Sequence, residues 1–355
     1  MSQFFCNKYS KIAPYVAGEQ PKDKSYVKLN TNESPYPPSK MVADVVTKEK
    51  LSSLNLYPDP CSDNLRKAIA KFYNIDCNEV LATNGSDEAL TLAFMAYCID
   101  EGIVATDISY GFYPVLCSLL GAPHEIIPLK QDFTMDIDAF CKVDKHIVIA
   151  NPNAPTGIAL KRIEMEKIIS ANPNRIVIVD EAYVDFGAES CIPLIKKYSN
   201  LLVIQTLSKS RGLAGARIGF VAGKKELIED LEKIRNSFNP YNVNSLSQLI
   251  GIAAIGDKDY FDECVAKTVD VRYYTAQKLE KLGFEILPSC ANFVFAKHKL
   301  LGGKELYQAL KKQGVLVRHF DKDRIRDFVR ISIGSKDEMD IFIEKTEKIL
   351  KGDII

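Results

Sequence analysis

The chain has 355 residues, a length that suggests about two domains and allows a large buried core. Its 46 basic and 46 acidic residues cancel, so we expect no general attraction to nucleic acid or to an anionic membrane. The nine cysteines form no CxxC pair and have no metal-ligand spacing to the four histidines, which argues for reduced thiols in the cytoplasm and against a metal site or a disulfide framework.

Residues 1–40 predict a loop-rich arm rather than a helix. Lysines lie where the apolar region of a signal peptide would be, and the chain contains no run of 18 apolar residues, so we expect a soluble, unprocessed protein. An arm of this kind usually lies across another surface, and we expect it to join a second domain and to contact the partner of a dimer. The prolines that interrupt it are Pro14, Pro21, Pro35, Pro37 and Pro38.

Helical and strand patterns alternate from about residue 62 to residue 206. Continuous apolar strands separated by helices are typical of a mostly parallel sheet that is covered by helices on both faces. We therefore predict an α/β large domain over residues 41–255, with ligands beyond the C-terminal ends of its strands. The predicted helices span 64–73, 86–98 and 162–170, and the predicted strands span 79–82, 102–105, 146–150, 176–179 and 201–206.

A smaller α+β domain is predicted over residues 256–355, with the boundary between about 245 and 265. A long helical region comes first, and shorter strands and helices follow it. The predicted helices span 260–282, 305–313 and 336–351, and the predicted strands span 284–286, 292–297, 315–318 and 328–333.

The first polar motif is Asn84-Gly85-Ser86-Asp87, between a predicted strand and a predicted helix. The free N–H groups and the positive dipole end of a helix start attract anions, and glycine allows a phosphate to come close. Ser86 or Asp87 would also serve as an ordinary N-cap, so the motif alone leaves both interpretations open.

Two further motifs follow the next buried strands. Residues 151–157, NPNAPTG, predict a rigid turn because they hold two prolines and a glycine. Asp180-Glu181-Ala182-Tyr183 follows strand 176–179, and a carboxylate at a buried strand end must be paired. A protonated pyridine nitrogen would be a suitable partner, because that proton makes the ring an electron sink. Helix capping by Asp180, or metal binding together with Glu181, are the alternatives.

A lysine and an arginine follow strand 201–206. Ser208 and Lys209 precede a predicted loop that carries Gly212, Gly215 and Gly219, and Arg217 lies eight residues after Lys209 in an apolar setting. A lysine buried near a second cation is easier to deprotonate, as the amine of a Schiff base must be. A solvated lysine and arginine beside a glycine turn would give the same local pattern.

The S-K-x(7)-R spacing and the GLAGARIG tail resemble the lysine segment of pyridoxal-phosphate enzymes in the aspartate aminotransferase superfamily. The segments LNTNESP, YPDP and VRISIG occur in the order of that superfamily, so the resemblance covers nearly the whole chain. Tyr15 and the motifs LNTNESP, YPDP and GLAGARIG indicate the histidinol-phosphate branch.

The resemblance implies roles for individual residues. Lys209 would hold pyridoxal 5'-phosphate and move the proton, Asp180 would pair with the pyridine nitrogen, and Tyr183 would bind the ring oxygen. In NPNAPTG the family's asparagine ligand of that oxygen is replaced by Ala154, so Asn153 or Tyr183 alone would serve. Tyr110 would stack on the ring. The remaining cofactor contacts implied are Gly85, Ser86, Asp87, Thr206, Ser208, Arg217 and, from the neighbouring subunit of a homodimer, Tyr57; the implied substrate contacts are Tyr15, Asn32, Arg318 and Arg330.

The implied activity is amino transfer between histidinol phosphate and 2-oxoglutarate, which gives imidazole-acetol phosphate and glutamate in histidine biosynthesis. A broad aromatic aminotransferase and a threonine-phosphate decarboxylase of the same fold remain alternatives, because the substrate pocket alone distinguishes them. Arg211, where relatives more often have an aromatic residue, would alter that pocket. A cofactor-sensing regulator is disfavoured because the chain lacks a basic helix-turn-helix pattern.

Overall fold

The computed structural model describes residues 2–23 and 25–352. Met1 and Lys24 of the predicted arm, and residues 353–355 of the predicted C-terminal domain, lie outside the described residues. The strands are β1 (Val27–Lys28), β2 (Val80–Thr83), β3 (Ile103–Thr106), β4 (His124–Ile127), β5 (His146–Ala150), β6 (Val177–Asp180), β7 (Leu201–Thr206), β8 (Gly219–Gly223), β9 (Phe284–Ile286), β10 (Phe293–His298), β11 (Val315–Leu316), β12 (Arg318–His319) and β13 (Phe328–Ser332).

The α-helices are α1 (Lys40–Asp44), α2 (Lys48–Ser52), α3 (Asp63–Tyr73), α4 (Gly85–Ala93), α5 (Ile99–Glu101), α6 (Phe112–Leu120), α7 (Ile137–Phe140), α8 (Arg162–Ala171), α9 (Lys225–Phe238), α10 (Ser245–Gly256), α11 (Lys258–Lys281), α12 (Gly303–Lys312) and α13 (Lys336–Lys351). Short 3-10 helices span Asn7–Tyr9, Cys77–Glu79, Val184–Phe186, Ile192–Lys196 and Ala214–Ala216, and a π-helical turn spans Phe94–Cys98. None of the helices in residues 2–23 and 25–352 is long and apolar enough to cross a membrane.

The large sheet confirms the predicted α/β architecture. Among the described residues it has seven strands in the order β2-β8-β7-β6-β5-β3-β4. Strands β7, β6, β5, β3 and β4 are parallel, and β8 runs antiparallel to both of its neighbours. All residues of β5, β6 and β7 are buried, as expected for strands that helices cover on both faces.

Alternate residues of one strand supply the two halves of the core. Val177 and Val179 of β6 pack into the cluster that contains Leu65 of α3, whereas Ile178 packs into the cluster that contains Leu90 of α4. This alternation follows from the period of two in a strand. Each fully buried apolar side chain of this size contributes about 1.5–3 kcal/mol relative to an exposed one.

A second, smaller unit is built from the C-terminal region and the arm. Strands β12-β13-β10-β9 form an antiparallel sheet, and β1 pairs in parallel with β11. Leu29 of the arm packs in the same cluster as Phe342 of α13. These contacts support the proposal that residues 1–40 belong with the C-terminal domain, with the division near residue 255.

One local expectation was wrong and two were incomplete. Gly219 begins strand β8 rather than lying in a loop, and it is glycine because a Cβ there would lie 2.6 Å from the backbone of Gly85 and Ser86. The predicted helix 86–98 is α4 followed by the π-helical turn. The predicted strand 315–318 is divided between β11, which pairs with the arm, and β12, which pairs with β13.

Candidate active site

A cavity of about 320 Å³ lies where the C-terminal edge of the large sheet meets the arm and the small sheet. Most of the residues predicted for cofactor and substrate line it, although they come from segments far apart in the chain. Those residues are Tyr15, Asn32, Ser86, Asp87, Tyr110, Asp180, Tyr183, Thr206, Ser208, Lys209, Arg217, Arg318 and Arg330.

Lys209 projects into the cavity just beyond the end of β7. Its Nζ donates a hydrogen bond to the backbone carbonyl of Thr31 at 3.3 Å and lies 5.8 Å from the ring centroid of Tyr183. A carbonyl oxygen accepts a hydrogen bond from an ammonium or from a neutral amine. The amine is therefore held at the cavity wall by a backbone acceptor from the arm.

Asp180 is the last residue of β6 and is 5% exposed. Its Oδ2 accepts a hydrogen bond from the Tyr113 hydroxyl at 2.9 Å, and its Oδ1 accepts one from the Ala182 N–H at 3.2 Å. Burial raises the pKa of Asp180 to about 6, although both hydrogen bonds act to lower it. A buried carboxylate that is held by neutral donors suits a cationic group in the cavity.

Tyr183 and Asn32, predicted to serve the cofactor and the substrate separately, contact each other. The Asn32 Nδ2 donates to the Tyr183 hydroxyl at 3.0 Å. The Tyr183 ring also packs edge-on against Phe293, with 5.1 Å between the ring centroids. The arm therefore contacts the same tyrosine that the resemblance assigns to the cofactor.

The start of α4 forms the opposite end of the cavity. Gly85 has a φ of +77°, and a Cβ there would lie 2.6 Å from Nη2 of Arg217, so glycine allows the guanidinium to approach the helix start. Asp87 Oδ2 lies 3.4 Å from Arg217 Nη2, and Asp87 Oδ1 accepts from the Tyr110 hydroxyl at 3.0 Å. The Asp87 carboxylate thus binds cavity side chains, and its N–H is the group available to an anion.

Hydroxyl groups complete this end of the cavity. Thr206 Oγ1 and Ser208 Oγ lie 2.9 Å apart, and both residues are buried at the end of β7. Together with the free N–H groups of α4 and the guanidinium of Arg217, they form a donor set suited to a phosphate. Within residues 2–23 and 25–352 no group of three or more histidine, cysteine or carboxylate side chains is arranged to hold a metal ion.

Two arginines from the small sheet face the other wall. Arg330 Nη2 donates to the Asn30 carbonyl at 3.0 Å, while its buried Nε has no partner among the described residues. Burial lowers the pKa of Arg330, so an anionic ligand there would relieve the cost of an uncompensated charge. Arg318 donates to the carbonyls of Val16 and Ala17 at 3.1 and 3.3 Å and so contacts the arm.

The segment between these arginines connects the small sheet to the large one. Arg324 Nη1 lies 2.8 Å from Asp107 Oδ2, and its Nη2 donates to the Lys130 carbonyl at 2.7 Å. Its guanidinium also lies 5.4 Å from the ring centroid of Phe133. Asp107 precedes Tyr110 in the loop after β3, so this ion pair links the two walls of the cavity.

Two sequence expectations are not matched by the geometry. Asn153 does not line the cavity, because its Nδ2 donates to the Ile108 carbonyl and to Thr156 Oγ1, at 2.9 and 3.0 Å; Ala154 lines it instead. Arg211 also lies outside, between the rings of Phe72 and Phe261, so it does not alter the pocket directly.

Tyr57 lies outside the cavity of its own chain. Its side chain is 82% exposed and its ring stacks on Tyr241, with 4.6 Å between the centroids. This position leaves it available to a neighbouring subunit, as the resemblance implies, and that role stays a prediction.

Several cavity residues were not predicted. Thr31 and Phe320 line the cavity, and the Tyr113 hydroxyl donates a hydrogen bond to Asp180 on the side away from the cavity. Tyr113 lies in the apolar run of α6, where a core tyrosine and an active-site tyrosine give the same pattern. Phe320 lies in the charged segment FDKDRIRDFV, whose position over the cavity depends on the long-range contact of Arg324.

Comparison with known proteins agrees with this geometry. Residues 24–345 match the family model described as aminotransferase class I and II. The chain is 50% identical over 351 residues to a Clostridium botulinum protein named histidinol-phosphate aminotransferase, and the match covers 99% of each chain. It is 49% identical to a Brachyspira hyodysenteriae protein of the same name, and that match covers 99% of this chain and 100% of the other. The fold is similar, with a TM-score of 0.88, to the histidinol-phosphate aminotransferase of Sinorhizobium meliloti in complex with pyridoxal-5'-phosphate, at 22% identity and 99% coverage of both chains.

Proposed function

The chain belongs to the class I and II aminotransferases, and from this we propose that it transfers an amino group between histidinol phosphate and 2-oxoglutarate. The reaction gives imidazole-acetol phosphate and glutamate, a step of histidine biosynthesis. The observation that carries the proposal is one cavity that holds a lysine amine and a buried carboxylate between two separate sets of anion-binding donors. The full-length similarity to proteins of that name supports the choice of substrate.

The cavity residues fit pyridoxal phosphate as the cofactor. The N–H groups of α4, the hydroxyls of Thr206 and Ser208, and Arg217 would bind its phosphate. The carboxylate of Asp180 would pair with its protonated ring nitrogen. Tyr183 would donate to the ring oxygen, and Tyr110 would pack on the ring face. Lys209 would bind it covalently through Nζ.

The chemistry is then divided among the side chains. The bound cofactor supplies an electron sink for the charge that develops at the substrate carbon. Lys209 Nζ would move the proton to and from that carbon. Asp180 keeps the ring nitrogen protonated during the transfer. Arg330 orients the carboxylate of glutamate, and Tyr15, Asn32 and Arg318 are assigned to the substrate side of the cavity.

We propose that the enzyme is a homodimer with shared active sites, and that it works in the cytoplasm. Tyr57 lies on an exposed apolar surface, which a partner subunit would cover. Tyr57 of one chain would then reach the cofactor phosphate of the other. All nine cysteines are free thiols, which suits a reducing compartment. The exposed apolar residues of the segment that ends at Tyr57 are Met41, Val46, Leu51, Leu54 and Leu56, and the Tyr57 ring stacks on the exposed Tyr241.

The test is an amino-transfer assay on the purified protein with added pyridoxal phosphate. Histidinol phosphate and phenylalanine are compared as amino donors to 2-oxoglutarate, and a strong preference for histidinol phosphate is expected. Equal use of both donors would indicate a broad aromatic aminotransferase. Transfer from neither donor, with the cofactor bound, would favour the decarboxylase, which release of carbon dioxide from threonine phosphate would then establish.

A further inference from the structure

Asn32 is held in a strained and fully specified position. It is 1% exposed and has a φ of +56°, in the left-handed region that asparagine tolerates better than most residues. Its N–H donates to Ser332 Oγ at 2.8 Å, and its carbonyl accepts from Asn292 Nδ2 at 3.0 Å. Both partners belong to the small sheet or its edge, so the backbone of the arm is fixed on that side.

These contacts also determine which way the Asn32 amide faces. Ser332 Oγ accepts from the Asn32 N–H, so its own proton is free to donate to Asn32 Oδ1 at 2.8 Å. The amide oxygen therefore faces Ser332 and the NH₂ group faces Tyr183. Because an NH₂ group only donates, the Tyr183 hydroxyl must accept at 3.0 Å, and its own proton is directed elsewhere.

The Tyr183 hydroxyl proton can then point towards the cavity. Tyr183 lines the cavity, with Lys209 Nζ 5.8 Å from its ring centroid. Ala154, which also lines the cavity and packs in one cluster with Tyr183, presents only a methyl group there. The Tyr183 hydroxyl is accordingly the donor that this part of the wall offers to an acceptor in the cavity.

We propose that Asn32 is a positioning residue that acts on the cofactor through Tyr183. By donating to the tyrosine oxygen, Asn32 turns the tyrosine proton towards the ring oxygen of the cofactor. This inference rests on the proposed function, because it requires pyridoxal phosphate in the cavity. It assigns to the arm a part in the chemistry, in addition to contact with the substrate.

We expect the hydrogen bond from Asn32 to change the pKa of Lys209 Nζ while Nζ is joined to the cofactor. When Nζ has lost its proton, the ring oxygen of the cofactor holds more uncompensated negative charge. A hydrogen bond donated by the Tyr183 hydroxyl to that oxygen therefore favours loss of the proton from Nζ. If the tyrosine proton turns away, the proton on Nζ is held more tightly. The pKa of that group should then rise by roughly one unit, the tenfold effect of one hydrogen bond.

The test compares variants by the pH midpoint of the visible absorption of the bound cofactor. Asn32→Asp keeps the shape and the bond to Ser332, but its carboxylate accepts from Tyr183 and reverses the hydrogen bond. Asn32→Ala removes the donor without adding a charge. The midpoint should rise in both variants, by roughly one unit in Asn32→Asp and by less in Asn32→Ala.

Ser39→Ala is the matched control. Ser39 is also a buried polar residue of the arm, at 5% exposed, but it does not line the cavity. Its loss should leave the midpoint unchanged. Thermal unfolding of each variant separates a loss of stability from the change in titration.

Tyr183→Phe tests the route of the effect. In that background Asn32→Asp should shift the midpoint no further, and an undiminished shift would mean that the carboxylate acts directly by its charge. An unchanged midpoint in both single variants, with the cofactor bound, would also overturn the inference. Absence of a visible cofactor band in the unmodified protein would instead overturn the proposed function.

Discussion

The hydroxyl of Tyr113 donates to the carboxylate of Asp180 at 2.9 Å, and both side chains are almost fully buried behind the cavity. Tyr113 and the Ala182 N–H satisfy the carboxylate without neutralising it. Burial nevertheless raises the pKa of Asp180 to about 6, although both hydrogen bonds act to lower it. The Asp180 carboxyl group therefore changes its protonation state not far below neutral pH.

Binding of pyridoxal phosphate should weaken as the pH falls below 6. A pKa raised to about 6 means that Asp180 is protonated below that pH, and a neutral carboxyl cannot pair with a protonated ring nitrogen. The affinity should fall by up to about tenfold per pH unit below 6. Absorption titration of the cofactor between pH 5 and 8 measures the dissociation constant.

Two variants test whether Asp180 causes the pH dependence of cofactor binding. Asp180→Asn should bind the cofactor more weakly at pH 8 and lose this part of the pH dependence. Tyr113→Phe removes a hydrogen bond that lowers the pKa of Asp180, so the affinity should begin to fall at a higher pH. An unchanged slope in Asp180→Asn would assign the titration to another group.

Arg330→Ala should impair both half-reactions, because glutamate and histidinol phosphate each bring an anion to the cavity. Hydrogen bonds to a charged group are worth about 1.5–3 kcal/mol, which corresponds to roughly a 10- to 150-fold loss in kcat/KM. Single-turnover measurements with each amino donor separate the two half-reactions. A loss confined to glutamate would show that histidinol phosphate is bound elsewhere.

Arg324→Ala should loosen the contact between the two walls of the cavity. The Arg324 and Asp107 side chains are 32% and 25% exposed, so we expect the ion pair to contribute at most about 1 kcal/mol. KM for both substrates should therefore rise up to about fivefold, while the dissociation constant of the cofactor stays unchanged. Arg326→Ala is the control, because Arg326 pairs with the exposed Asp323 within the same segment. Equal effects of both substitutions would argue against the link.

Leu56→Asp should convert the proposed dimer to an inactive or weakly active monomer. Leu56 is 66% exposed beside Tyr57, and a carboxylate there cannot be buried without a partner. Leu300→Asp is the control, since Leu300 is 93% exposed but lies far along the chain in the small unit. Light scattering gives the mass in solution. A monomeric mass with full activity for the unmodified protein would rule out a shared active site.

The residues at strand ends could be predicted from the sequence because the signal is local. Lys209 and Asp180 each end or follow a run of β-branched residues, and parallel strands bring their C-terminal ends to one edge of the sheet. Order along the chain therefore implied proximity in space. The length of each predicted strand agrees with the structure to within one or two residues in the large sheet.

The contacts of the arm could not be predicted in the same way. Asn32 reaches Tyr183, and Arg318 reaches Val16, because the arm crosses the molecule along a path that no local pattern specifies. Strand β1 has only two residues, too few for periodicity to appear. Likewise, the sequence predicts a loop at Gly219. A glycine is needed there because the backbone of Gly85, which is distant in sequence, approaches it closely.

The parallel pairing of β1 with β11 joins Val27 to Val315, near opposite ends of the chain. During synthesis on the ribosome, all strands of the large sheet have been made once Gly223 has emerged. Asn32, made early, has no Ser332 to dock against until β13 follows. The binding cavity is consequently completed only after most of the chain has been made, and a shorter nascent chain cannot offer the cofactor a finished site.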